Sequence, residues 1–366
     1  MEMKAIVRTF TAILVYVMCS GVAFAVDLVV TSDTALSEGN YPYDNLMVSN
    51  GASLSIAGGS ILNVVGSVTV SGNSSILIQS KNNATLVNGQ WQGVGVTINA
   101  ASIQVDTGSK INADGQGYAG AGCNDSGTGP GGGLANCDWG GNGGSYGGTG
   151  SGPNKISMST YGSQFAPVDL GSSGTGSSSG VQGLWSSTGG AGGGAIRLIV
   201  SGTLTNNGAI SANGNAATAT YGGGGAGGSV YTTARTLAGS GIFSANGGVS
   251  NNGGGGGRIT VRYMAADGYS GFNRSTVNGG TGAEMGTAVF IDDSQKYPRL
   301  LVTSNFVFNQ DFVATYDAIR VSNASLIKIG GGSRLSVLNS VTVEGNSTVW
   351  LYPKTVLHKR TASGRV

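Results

Sequence analysis

The chain has 366 residues, of which 68 are Gly and 6 are Pro; only 10% are charged and the formal net charge is +2. So nearly neutral a balance argues against a nucleic-acid or anionic-membrane partner. Low charge with plentiful Val, Ile, Thr and Ser excludes a disordered linker, and a glycine share far above the usual ~7% points to many short strands joined by tight turns.

The N-terminus reads as an export signal. Lys4 and Arg8 are followed by an apolar run from Phe10 to Val22 and by Ala23-Phe24-Ala25, small residues where a signal peptidase requires them. Residues 1–25 are therefore expected to be removed, leaving Val26 as the mature N-terminus. The run is shorter than the roughly 20 residues that span a bilayer, and no later stretch is apolar enough, so no transmembrane helix is expected after cleavage. Met18 precedes Cys19 where a lipoprotein box needs a small residue. The expected location is secreted, extracellular or on the outer cell surface, with the periplasm as the alternative.

Residues 26–114 carry short strand patterns with period-two alternation, such as Leu54 and Ile56, Ile61 to Val65, and Val68 and Val70, separated by Gly-Gly-Ser, Gly-Ser and Gly-Asn. Residues 115–190 change character. This Gly/Ser-rich stretch is too long for an ordinary connection and is expected to form loops projecting from the body of the protein. It holds Cys123 and Cys137, the only cysteines left after processing, which in an oxidising compartment suit a disulfide closing a short loop, worth about 3 kcal/mol by chain entropy. It also holds Trp139, Tyr146, Tyr161 and Trp185, which in projecting loops would stack on sugars or bind a partner, or else fold the loops back.

Residues 191–291 repeat a glycine-led phrase. Gly193-Gly194-Ala195-Ile196, Gly227-Gly228-Ser229-Val230 and Gly256-Gly257-Arg258-Ile259 each open an apolar run, 34 and 29 residues apart. The phrase Gly208-Ala209-Ile210-Ser211-Ala212-Asn213-Gly214 recurs at 241–247 and, weakly, at 110–115. Periods of this size mark stacked repeats, and the Asn-Gly steps suit turns needing positive φ. Residues 292–353 then repeat 30–78: Tyr43 to Ile78 aligns without gaps on Tyr316 to Leu351 at an offset of 273, and a basic tail, 354–366, follows.

Strands of three to five residues with turns this short leave no room for crossover helices. The expected class is all-β, a parallel β-solenoid with long Gly/Ser-rich loops, an antiparallel β-sandwich array being the alternative. With its Gly-Gly-x-Ile and Ile-Ser-Ala-Asn-Gly phrases, the stretch from Ile98 to Ile291 resembles glycine-rich secreted bacterial surface and adhesin-like proteins with a pectate-lyase-like right-handed parallel β-helix. That resemblance implies a fold and, on the surface-protein side, a role in adhesion.

The chemistry is mostly an absence. Enzymes of the β-helix class use clustered carboxylates, yet Asp292-Asp293 is the only adjacent pair and lacks a later Gly-His-Gly; Asp106 with Asp114 and Asp125 with Asp138 are weaker pairs. The only histidine, His358, sits in the basic tail, and the glycine runs at 222–228 and 253–257 lack the Lys of a phosphate loop. No catalytic residue, metal site or cofactor is assigned. The expectation is a non-enzymatic surface, matrix or adhesion protein whose partners are extracellular glycans or surface proteins, a polysaccharide lyase or hydrolase being the alternative.

Overall fold

The computed structural model describes residues 26–135, 140–153, 159–177, 187–219, 221–353 and, for the backbone, 356–359. The protein is all-β with long, mostly parallel sheets. In its first half the chain alternates between two sheets. The strands β1 (Val26–Val30), β3 (Asn40–Val48), β5 (Ile61–Val70), β7 (Val96–Val105), β9 (Ala195–Asn206), β11 (Ser229–Ala238) and β13 (Arg258–Asp267) stack in order in one sheet. The shorter β2 (Thr34–Leu36), β4 (Ser53–Ile56), β6 (Ser75–Ile78), β8 (Lys110–Asn112), β10 (Ala209–Ser211) and β12 (Ile242–Ser244) stack in the other. Alternate side chains point between the sheets, so Leu62, Val64, Val68 and Val70 of β5 are buried while Asn63 and Thr69 face outward.

The sequence repeats are the rungs of this stack. Ile196, Val230 and Ile259 pair in register across β9, β11 and β13, and Ile111, Ile210 and Phe243 do so across β8, β10 and β12. One expectation fails here. Asn213 and Asn246 do not adopt positive φ, nor do Gly214 and Gly247. Instead the side chains form a ladder along the stack: Asp114 accepts from the backbone N–H of Asn213, Asn213 from that of Asn246, and Asn246 from that of Asn278, each at 2.7 or 2.8 Å. Left-handed turns occur instead in the end units, at Asn50-Gly51 and Gly72-Asn73 and again at Asn323-Ala324 and Gly345-Asn346, and at Asn88-Gly89 beyond the first of them.

The duplication is equally literal. β3, β4, β5 and β6 map onto β17 (Val313–Val321), β18 (Leu326–Ile329), β19 (Arg334–Val343) and β20 (Thr348–Leu351) with every boundary displaced by 273 residues. The second copy is led by β15 (Arg299–Val302) and β16 (Phe306–Phe308), and β21 (Val356–Lys359) pairs with β19. Between the two halves lies β14 (Thr287–Asp292), parallel to β13 but antiparallel to β15. Every other pair of named strands is parallel, so the antiparallel sandwich does not hold. Ala288 and Phe290 of β14 enter the first core, while Val289 and Ile291 enter a second one built from β15 to β19. Strand direction and core side thus switch together.

The stretch from 115 to 190 departs furthest from expectation. Its described residues do not project. Apart from 124–126 and 159–169, which are mainly exposed or half-buried, they are largely buried segments packed beside segments near 212–228, 245–257 and 277–286. Residues 223–228 show the rule. Gly223 and Ala226 donate to the carbonyls of Thr175 and Ser172, Gly224 and Gly227 to Asn252 and Gly255, and Gly225 and Gly228 to Asn215 and Ala212. A donor direction that returns every third residue is that of a polyproline II-type helix, which makes no internal hydrogen bonds and turns every three residues. Carbonyls of the same segment accept from Gly190, Gly193, Gly144 and Gly248, so further neighbours bond it from other sides. A Cβ on Gly225 would lie 2.0 Å from the Ala191 carbonyl oxygen, and one on Gly223 2.0 Å from that of Asn142. Only glycine admits backbone this close on all sides.

Candidate functional site

The array delivers residues 140–153 and 159–177 onto the outer face of the large sheet, and there a polar cluster is buried. Arg258, at the start of β13, is 4% exposed and Tyr146 is fully buried. The Arg258 guanidinium lies 5.3 Å from the centre of the Tyr146 ring. Its Nε donates to the Tyr161 carbonyl at 3.0 Å and its Nη1 to the Thr287 hydroxyl at 3.2 Å. The Tyr146 and Ser229 hydroxyls are 2.6 Å apart, Ser229 donates to the Asp169 carbonyl at 2.6 Å, and Tyr161 donates to that of Leu170 at 2.5 Å.

Electrostatics follow from the burial. Loss of water raises the Tyr146 and Tyr161 hydroxyls well above the usual phenol range and lowers Arg258, whose charge is held up by the surrounding tyrosines and Asp169. Burial also raises the Asp169 carboxyl, against the opposing pull of Arg258. Every tyrosine hydroxyl named here is engaged. The cluster locks the insertion to the sheet. Next to it, Thr260 donates to the Gln164 carbonyl at 2.6 Å, the Gln164 side chain bonds both backbone groups of Val307, and Phe165 packs against Phe306 and Phe312. The segment 161–165 therefore straps the second core to the first.

Of the four aromatic residues singled out for binding, Tyr146 offers no face to a ligand and Tyr161 is half-buried with its hydroxyl occupied. The physical reason is the array, which draws the stretch inward instead of letting it project. Trp139 and Trp185 lie outside the described residues, as do Cys137 and Asp138; Cys123 is buried.

The accessible part of the large sheet's outer face lies near the middle of its strands, where β5, β7, β9 and β11 each carry a register irregularity and exposed apolar side chains such as Val65 and Met264 stand among polar ones. Two adjoining cavities of about 300 and 570 Å³ share Ser201 and together cross β5, β7, β9, β11 and β13. The first is lined by Asn63 and Asn99, whose amides are bonded at 2.8 Å. The second is lined by Arg235, Met264, Tyr263 and an Arg262–Asp293 pair with contacts of 2.8 and 3.0 Å. Burial pushes the Tyr263 hydroxyl up to about 12. Close by, Arg197 lies 6.0 Å from the Tyr231 ring centre, and neither it nor Arg235 has a carboxylate partner among the described residues. Sequence reasoning missed this face, although outward Asn and Arg at alternate strand positions signalled it.

The carboxylates are dispersed. Asp114 caps the asparagine ladder, Asp106 accepts from Gln104, Asp292 accepts from the Ser294 N–H and Asp293 is held by Arg262. Of the two cavities, one is lined by a single carboxylate, Asp293, and the other by none, and among the described residues no group of three or more His, Cys, Asp or Glu is placed to hold a metal. No helix among them is long and apolar enough to cross a membrane. Comparison with protein-family models, curated proteins and solved structures finds no match.

Proposed function

We propose that the chain is an exported, non-enzymatic surface, matrix or adhesion protein, a right-handed parallel β-solenoid stiffened along one side by the glycine array. In this reading residues 1–25 are removed on export, and Cys123 pairs with Cys137 to fasten the insertion. Binding then belongs to the exposed sheet face, and the class of partner is an extended glycan, preferably acidic.

The observation that carries this reading is the long exposed face crossing five rungs, on which Asn63, Asn99 and Arg235 stand among apolar side chains, with Arg235 and the nearby Arg197 lacking a carboxylate partner among the described residues. Rungs repeat at about 4.8 Å, close to the length of one sugar unit, so a glycan lying across them meets a similar set of groups at each step. Dispersed carboxylates give the lyase or hydrolase alternative no such support. The test is a glycan array with wild type and an Arg197→Ala/Arg235→Ala variant. Retention of acidic polysaccharide by wild type, weakened at least tenfold in the variant and by added salt, is expected; equal binding by both proteins would refute the assignment of this face.

A further inference from the structure

We propose that copies of this chain stack head to tail, the β21 edge of one pairing antiparallel with the β1 edge of the next. The inference goes beyond the scaffold reading and rests on the internal duplication. The leading strand of the second unit, β15, is covered by β14; its counterpart β1 pairs with β3, and its other edge has no partner among the described residues. Leu301 is half-buried against the first core, whereas Val29, at the equivalent position, is 59% exposed. The two edges are built alike, and among the described residues only one is covered.

Geometry supplies the occupant. Strand direction reverses once within the molecule, at β14–β15, so β21 runs opposite to β1 and its core lies on the other side of the sheet. Translating the molecule along its stack therefore sets β21 beside the next β1 in the relation β14 already has to β15, antiparallel with the core changing sides. No new kind of contact is required.

Charge favours the same occupant. Residues 26–81 contain Asp27, Asp33, Glu38 and Asp44 against a single base, Lys81, which pairs with Glu38, whereas residues 299–366 contain eight Lys and Arg against three acids. The unit at one end is thus acidic and its copy, with the tail, is basic. Two β1 edges would repel, and a β1 edge would attract a β21 edge. Register makes the match specific. In the existing seam Asp292, the last residue of β14, stands opposite Arg299, the first of β15. Asp27 occupies the position of Arg299 in the first unit, and Lys359 is the last residue of β21. The pair recurs with both charges exchanged. A heterologous contact of this kind grows as an open assembly and does not close as a dimer.

The test uses the chain beginning at Val26, expressed directly so that the result is independent of signal cleavage, with sedimentation velocity and negative-stain electron microscopy as readouts. Wild type is expected to form oligomers that lengthen with concentration and shorten with salt. Asp27→Lys and Lys359→Asp are each expected to weaken association at least tenfold, and the double exchange to restore it. Val29→Lys reports on the apolar part of the edge, with circular dichroism confirming that each variant is folded. A chain that stays monomeric at high concentration, a closed dimer that does not grow, or charge variants that associate like wild type would overturn the proposal. Glycan binding by the monomer would be untouched by any of these, so failure here is distinguishable from failure of the functional reading.

Discussion

Between β7 and β13 the interior is filled by side chains such as Ile98, Leu198, Val230 and Val261, whereas just before β9, β11 and β13 the same chain is packed by backbone alone. In the stacked strands the hydrogen bonds lie in the sheet and the side chains supply the burial. In the glycine array the hydrogen bonds radiate to several neighbours and there are almost no side chains to bury. The first arrangement gains from the hydrophobic effect; the second satisfies each buried amide while removing very little apolar area from water. The two should therefore respond in opposite ways to a change in side-chain size.

The largest effect is expected on the side-chain side. Leu198→Ala empties space at a position that is fully buried, and should cost about 4 kcal/mol of unfolding free energy in a denaturant titration. The array should show the inverse sensitivity. Gly225→Ala adds one methyl group, yet its Cβ would sit 2.0 Å from a backbone oxygen that cannot rotate away, and a loss of about 3 kcal/mol is expected. Gly122→Ala is the control, because its Cβ would meet nothing nearer than 3.5 Å and φ is not positive there, so the change should stay within about 0.5 kcal/mol. If Gly225→Ala proved as mild as Gly122→Ala, the backbone-packed description of the array would be wrong.

Asn213 belongs to both regions, since its ladder runs where strands pass into the array. Asn213→Ala removes the acceptor for the Asn246 N–H and the amide bonds to Asp114 and Ser244. A cost of about 1–2 kcal/mol is expected, with faster hydrogen exchange at the Asn246 amide.

This contrast also decides what could be read in the sequence. Where side chains pack, they leave a period. Ile196, Val230 and Ile259 are legible as rungs in the sequence itself, and so is the copy of Tyr43–Ile78 at 316–351, because a buried Val or Ile is conspicuous among polar neighbours. Where backbone packs, the residues are mostly glycine with small or polar neighbours, and a threefold hydrogen-bond period leaves no apolar side-chain trace. Hence 115–190 reads as projecting loops, Tyr146 reads as available and the cluster around Arg258 goes unseen. The reversal at β14 had a faint signal: Ala288-Val289-Phe290-Ile291 is apolar without alternation, as expected of a strand buried on both faces.

The smallest effect concerns the seam between the two kinds of packing, where Asp169 approaches Arg258. Burial raises the Asp169 carboxyl, and the nearby guanidinium offsets that only in part. Because the folded-state value lies above the unfolded one, the folded protein holds this proton more tightly than the unfolded chain does. The group's contribution to stability is therefore complete in acid and is lost as pH rises through the folded value. Other carboxylates titrate over the same range, so the difference between wild type and Asp169→Asn is the quantity to follow. Asparagine stands in for the neutral acid, and its stability relative to wild type should increase from pH 3 to pH 7 in urea titrations. A relative stability that fell over that interval would mean that attraction to Arg258 outweighs burial, and that the insertion is held to the sheet by an ion pair as well as by its backbone.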